Sequence, residues 1–296
     1  MAPTPRFMFR ANAVALGGRL YSPQDIVIEV DGASSLSSAG GRSRATIKGQ
    51  QYGGLVQFGS ASTDAQGQFD DPKQAMDAIA GGVDENTLAT TTTVGGELNG
   101  LTVGQQPVLT IGRIAAMFVT RSATKGEPSI TLTKDTIVED AAIDGYAFTV
   151  DINLAAFASY DTYATLKSGL AKAKLLFVET GNVIYASVVN AITWTGAPYP
   201  GATIDQNRID VPDFGSIVFG EIWIRQASRR LTMVRVDLGS SGPAAPAALK
   251  RRAGMKRRVL KGPKGGAGGS KNGVGRLIGL EVDPNGGGYP PYFKRL

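Results

Sequence analysis

The segment Ile217–Leu238, IVFGEIWIRQASRRLTMVRVDL, constrains the fold more than any other stretch of the chain. Two runs of apolar residues flank a polar loop at 225–230, a pattern typical of a β-hairpin. Strict alternation places Ile217, Phe219 and Trp223 on one face of the first strand, and the opposite face is equally apolar. Such a strand is expected in the middle of a sheet, covered on both sides. We therefore predict that this hairpin forms the centre and the last strands of a β-rich body.

Glu221 is the unusual residue of this hairpin, because it lies between Phe219 and Trp223 in an otherwise apolar strand. A carboxylate that is removed from water must be paired or protonated. Arg235 on the returning strand is the candidate cross-strand partner. Perturbed acids also serve structure, so we interpret Glu221 as a paired structural acid rather than a catalytic one.

Two short helices interrupt the β-rich pattern. The first covers Lys73–Ala80, after a capping aspartate at 71 and a proline at 72. Its predicted buried residues are Met76, Ile79 and Ala80. The second covers Asp161–Lys174, where apolar residues recur every three or four positions. The remaining segments, rich in Thr, Val and Gly, predict roughly a dozen strands, so we expect a mainly β fold, a β-sandwich or a barrel-like body with two short helices.

Paired glycines are expected to mark turns and helix caps. They occur at 17-18, 40-41, 53-54, 81-82 and 95-96. The pair Gly17-Gly18 is predicted to turn the chain between one strand at 7–16 and another at 19–30. None of the pairs belongs to a phosphate-binding motif in a strand–turn–helix context.

The chain contains no cysteine and no histidine. This composition excludes disulfides, thiolate chemistry, imidazole bases and metal sites built on His or Cys, and it predicts a protein without a cofactor. No run of 18 apolar residues exists, so no membrane span is expected. The N-terminal MAPTPRFMFRANAV lacks the pattern of a secretory signal, which favours a cytoplasmic or virion location.

Catalysis in such a chain would depend on carboxylates, on Ser or Thr with Lys, or on Tyr. The acids from which a glycosidase-type pair could be drawn are Glu139, Asp140, Asp144 and Asp151. Their loop and turn context favours solvated acids instead. A calcium site is a weaker alternative, because Asp205, Asp210 and Asp213 lack the dense spacing of calcium-binding loops.

Charge separates a C-terminal arm at 241–296 from a body at 1–240. Residues 250–296 hold 12 Lys/Arg and 2 Asp/Glu, a net charge of about +10, whereas the other 249 residues hold 19 and 23, about −4. An arm of this charge is expected to contact something acidic. The residues predicted to contact nucleic acid or a partner are Lys250, Arg251, Arg252, Lys256, Arg257, Arg258, Lys261, Lys264, Lys271 and Arg276.

The end of the arm is apolar and aromatic, which a freely solvated tail does not need. A strand near residues 277–282 would suit the edge of another sheet, with aromatic anchors after it. The predicted assembly anchors are Leu277, Ile278, Leu280, Tyr289, Tyr292 and Phe293.

Three interpretations of the arm compete: phosphate contacts to nucleic acid, docking on an acidic protein surface that includes a neighbouring copy, and a solvated tail. We expect a non-enzymatic structural protein that self-assembles as a homo-oligomer into a particle, virion or filament, with the arm docking on neighbours or on an acidic polymer. The alternatives are a nucleic-acid-binding protein that uses residues 250–276 and a carboxylate-based glycoside hydrolase.

Three stretches resemble β-rich bacterial proteins of uncharacterised function. They are TTTTVGGELNGLTV, the region from GEPSITL to DGYAFTVD, and RRLTMVRVDLGS. The resemblance implies no activity, cofactor or site residue for this chain.

Overall fold

The computed structural model describes residues 9–79, 88–123, 126–169, 177–180, 182–226, 228–239 and 274–284. The strands are β1 (Ala11–Ser22), β2 (Ile26–Asp31), β3 (Ser34–Ser35), β4 (Gly41–Tyr52), β5 (Val56–Phe69), β6 (Ala89–Val103), β7 (Leu109–Ala123), β8 (Ser129–Leu132), β9 (Ile137–Ile143), β10 (Tyr146–Ile152), β11 (Phe177–Thr180), β12 (Val183–Ser187), β13 (Val189–Trp194), β14 (Thr203–Asp205), β15 (Arg208–Val211), β16 (Gly215–Arg225), β17 (Ser228–Leu238) and β18 (Val274–Pro284). The helices are α1 (Pro72–Ile79), α2 (Leu154–Ser159) and α3 (Tyr163–Gly169).

The fold is mainly β, as the sequence predicts, and consists of two antiparallel sheets. A ten-stranded sheet has the order β11-β12-β16-β17-β18-β1-β2, with β3, β14 and β15 at its margins. An eight-stranded sheet has the order β13-β10-β9-β7-β6-β5-β4, with β8 beside β7. The described residues form no closed barrel, so the sandwich is the architecture found.

One hydrophobic core fills the space between the sheets, because β1 and β18 of the larger sheet pack over β5, β6 and β7 of the smaller one. Phe118 and Phe219 are fully buried in it. The helix predicted at 161–174 is found as α3, and an additional helix, α2, precedes the predicted range. Phe157 of α2 and Leu166 of α3 also reach this core. Asn153 caps α2, since its Oδ1 accepts a hydrogen bond from the backbone N–H of Ala156 at 3.1 Å.

Helix α1 begins where the sequence predicts, and Asp71 caps it by accepting a 3.0 Å hydrogen bond from the N–H of Gln74. The prediction that Met76 is buried is wrong, because its side chain is 71% exposed. The helix instead packs through Ala75 near Phe69. The side chain of Ile79 and the whole of Ala80 lie outside the described residues.

The eight-stranded sheet bends along one row of small residues. Strand register aligns Gly49, Gly59, Gly100 and Gly112 across four strands, and Asp140 on β9 completes the row. On these strands the residues that face the core are odd-numbered on one side of the row and even-numbered on the other. Gly100 has φ of +64° and Asp140 of +54°, a conformation that glycine and aspartate accept more readily than other residues.

A matching row crosses the ten-stranded sheet through Ala15, Leu280, Met233 and Gly220. Because Gly220 has φ of +60°, the inward face of β16 passes from Ile217 and Phe219 to the even-numbered residues after it. The predicted placement of Trp223 on the face of Phe219 is therefore wrong. Trp223 lies on the outer face with Glu221, half-buried, and the prediction of a centrally placed β16 is confirmed.

Two glycine pairs predicted in turns lie inside strands. Gly17-Gly18 is part of the continuous β1, and a Cβ at Gly18 would lie 2.3 Å from the carbonyl oxygen of Arg276 on β18. Gly95-Gly96 is part of β6, where a Cβ at Gly96 would lie 2.7 Å from Leu280 Cδ1. Gly18 and Gly96 are therefore required for the close approach of neighbouring groups. Gly53-Gly54 does form the turn between β4 and β5, with positive φ at both residues.

The hairpin of β16 and β17 is not the last part of the sheet, because β18 follows it. Residues 274–284, assigned from the sequence to the arm, lie between β17 and β1 and pair with both strands of the same chain. The apolar residues of this segment account for its position, since Leu277, Leu280 and Val282 are buried in the core.

Candidate functional site

The outer face of the ten-stranded sheet carries an ion-paired network on β16, β17 and β18. Arg235 donates from Nε to Glu221 Oε2 at 2.7 Å and from Nη2 to Oε1 at 3.0 Å. Its Nη1 contacts Asp237, which also accepts a 2.6 Å hydrogen bond from Arg276 Nε. The predicted pair of Glu221 and Arg235 is thus confirmed, and register makes it a diagonal pair, because Val218 is the direct neighbour of Arg235.

Arg235 is the central member of this network, with a side chain that is only 23% exposed. Burial alone would lower the pKa of Arg235, but the hydrogen bond and charge of Glu221, together with the charge of Asp237, raise it. The Glu221 side chain is 40% exposed and paired. We interpret this arrangement as structural, because the charges neutralise one another across three strands.

A second group of charges lies toward the other end of β18. Arg230 approaches Glu281 at 3.5 Å and Asp283 at 3.8 Å, and Thr232 Oγ1 donates to Glu281 at 3.1 Å. Burial raises the pKa of Asp283 to about 6, and nearby Glu281 adds to this increase while Arg230 opposes it. The burial of Asp283 is not evident from the sequence, since it depends on the position of β18 between two other strands.

Replacement of Arg235 by leucine is expected to lower the free energy of unfolding by about 1.5–3 kcal/mol, because Glu221 and Asp237 lose their shared charge-assisted hydrogen bonds. The control is Arg42→Leu. Arg42 also forms an ion pair, with Asp64, but its own side chain is 59% exposed. We expect a loss of about 1 kcal/mol or less there. Urea unfolding measures both variants, and equal losses would contradict the central role of Arg235.

The structure places the predicted site residues in two very different settings. Arg276 lies on the outer face in the network with Asp237. Leu277 and Leu280 are 1% and 0% exposed in the core, and Ile278 is half-buried on β18. Because these residues are covered by their own chain, a contact with a neighbouring subunit is not required to bury them. The predicted residues that lie outside the described part of the chain are Lys250, Arg251, Arg252, Lys256, Arg257, Arg258, Lys261, Lys264, Lys271, Tyr289, Tyr292 and Phe293.

The acids considered for catalysis have different partners. Glu139 pairs with Arg113 at 3.3 Å, and Asp151 accepts a 2.7 Å hydrogen bond from Asn190. Asp144 lies in the predicted turn, with φ of +47°, and accepts from the N–H of Val108 at 2.7 Å. Each of these three acids thus has a local contact of its own on or beside β9 and β10.

The candidate calcium ligands are not gathered into a metal site in the part of the chain that the structure describes. Asp210 forms an ion pair with Arg208 at 2.6 Å. No cluster of three acids among the described residues is placed to hold a metal. A cavity of about 430 Å³ lies along the glycine row, and its polar lining comes from Gln50, Gln51 and Gln57. None of its lining residues is a carboxylate.

The junction of β17 and β18 locates the basic segment on the body. Leu238 and Gly275 are cross-strand neighbours, so the end of one strand lies beside the start of the next. A β-hairpin turn of about 2–5 residues would join them. The chain has the 34 residues 240–273 there, which include nine of the predicted cations and no Asp or Glu. The basic segment is therefore an insertion attached at both ends.

Comparison with known proteins identifies the family of the chain. It belongs to the family described as "Domain of unknown function (DUF8256)", whose model matches residues 7–176. The matched range includes β1 to β10 and ends before β11. No curated protein and no solved structure matches the chain. No helix in the described ranges has the length and apolar character of a membrane span.

Proposed function

We propose that this chain is a non-enzymatic structural protein that self-assembles, and that segment 240–273 contacts the acidic surface of neighbouring subunits. The observation that carries the proposal is the junction at Leu238 and Gly275. A short turn would complete the sheet, so the 34-residue insertion is not needed to build the fold. Loops much longer than the connection requires often carry function, which favours a role of this segment in contact with a partner.

Charge supports a neighbouring copy as that partner. The whole chain has 31 Lys/Arg and 25 Asp/Glu; nine and none of these lie in 240–273, so the other residues hold 22 and 25, a net charge of −3. Opposite charges on the insertion and on the body attract one copy to another and accelerate their encounter. The local partners of Glu139, Asp144 and Asp151 also favour a structural role over a hydrolase.

Nucleic acid is the second candidate partner. Two basic triplets, Lys250–Arg252 and Lys256–Arg258, are separated by three residues and followed by glycines. Lysine and arginine displace counterions from phosphates, and glycine lets the backbone approach closely. Binding of this kind would fall steeply with salt concentration.

Two insertion variants test these proposals. In the first, an Asn-Gly turn replaces residues 240–273; in the second, serine replaces the nine Lys/Arg at the original length. Light scattering at about 50 mM and about 500 mM salt gives the mass of each variant, and the 260/280 nm ratio reports bound nucleic acid. We expect the wild-type chain to form species larger than a dimer at low salt, and both variants to lose these larger species.

The second variant separates charge from length. Species larger than a dimer that persist without the nine cations would overturn the role of the insertion. A high 260/280 ratio that disappears both at high salt and in the serine variant would make nucleic acid the partner instead.

A further inference from the structure

The two sheets each end in an edge strand on the same side of the sandwich. Strand β2 ends the ten-stranded sheet and β4 ends the eight-stranded sheet, and no described strand pairs with the outer side of either. The edges lie close together, because Thr63 Oγ1 donates to the carbonyl of Gly32 at 2.8 Å and the Tyr52 hydroxyl contacts Asp31. Unpaired edges can accept a strand from another chain.

The two edges carry opposite charge. Strand β4, GRSRATIKGQQY, contains three cations and no acid, whereas β2, IVIEVD, contains two acids and no cation. Arg44 and Lys48 on β4 are exposed and have no ion-pair partner among the described residues. The same holds for Glu29 on β2. The free charges on one edge are thus complementary to those on the other.

Exposed apolar side chains lie beside these charges. Val27 and Val30 on β2 are 59% and 58% exposed, and Tyr21 at the end of β1 is 55% exposed. Single exposed apolar residues are ordinary, but these three share one edge of one sheet. Burial of this group against another surface would be favourable.

We propose that two copies associate side by side, with β2 of each copy pairing with β4 of the other. A two-fold axis along the side of the sandwich exchanges the two sheets, so both contacts form at once and the interface is closed. Pairing β4 with β4 would instead bring Arg44 and Lys48 close to like charges. This inference rests on the proposed self-assembly and names the surface through which it begins.

Charge reversal tests the proposal directly. Variant Arg44→Glu/Lys48→Glu makes the β4 edge acidic, and variant Glu29→Lys makes the β2 edge basic. Each is expected to weaken dimerisation about tenfold or more in sedimentation velocity at low salt. The three substitutions combined in one chain restore opposite charge on the edges and are expected to restore the dimer. The matched control for the double variant, Lys73→Glu/Lys134→Glu, changes net charge equally at exposed positions on α1 and between β8 and β9, outside both edge strands.

The outcomes separate this inference from the proposed function. Reversal variants that dimerise like the wild-type chain, or a triple variant that stays dissociated, would overturn the edge pairing. Association that depends only on the cations of 240–273 would also overturn it, while leaving the proposed function intact. A monomeric wild-type chain would overturn both.

Discussion

Replacement of Leu280 by alanine is expected to lower the free energy of unfolding by about 2–5 kcal/mol. Leu280 is fully buried, and its Cδ1 fills the space that a side chain at Gly96 would otherwise occupy. It therefore joins β18 of one sheet to β6 of the other. Alanine would keep the positive φ of +49° found at this position, so relief of backbone strain would not offset the loss of packing.

The control for Leu280 is Ile278→Ala, because Ile278 is half-buried on the same strand. A clearly smaller loss is expected there, since fewer contacts are removed. Urea unfolding followed by the fluorescence of the two tryptophans measures both variants. Small and equal losses would contradict the position of 274–284 in the core and would return this segment to the arm.

Replacement of Asp283 by asparagine is expected to raise stability at pH 7 by at most about 3 kcal/mol, since its pKa is about 6 and its contact with Arg230 is lost at the same time. The unfolded carboxyl has a pKa of 3.8, so between these values the folded chain binds more protons than the unfolded chain. Folding stability in the wild-type protein should therefore decrease as pH rises from about 4 to about 6. Asparagine removes the charge and with it this decrease.

The control for Asp283 is Asp25→Asn. Asp25 is exposed, and its hydrogen bond with Arg19 lowers its pKa, so its protonation occurs below the same pH window. We expect this variant to keep the decrease between pH 4 and 6. Unfolding measured at a series of pH values provides the comparison. An unchanged decrease in Asp283→Asn would show that another group is responsible.

Local chemistry predicted several elements correctly because their causes lie within a few residues. Asp71 and Pro72 define the start of α1 by capping and by proline geometry. The pairing of Glu221 with Arg235 followed from the need to compensate a carboxylate in an apolar strand. Both inferences depend on neighbours in sequence or on one hairpin.

Long-range pairing was not evident from the sequence, for two physical reasons. Gly220 has a positive φ, which changes the set of β16 residues that face the core. From the sequence alone, such a glycine cannot be distinguished from one that forms a turn. The insertion 240–273 separates β18 from its partner strand β17 in the sequence. Because the insertion is strongly basic, the whole C-terminal region was predicted to be an arm. The complementary edges β2 and β4 became visible only when the register showed that neither has an outer partner.

Light scattering of the wild-type chain over a range of salt concentrations tests the central claim most directly. We expect a mass above that of a single chain at low salt, and a decrease toward one chain as salt screens the opposite charges. A single-chain mass at every salt concentration would contradict self-assembly through the basic insertion and the two edges.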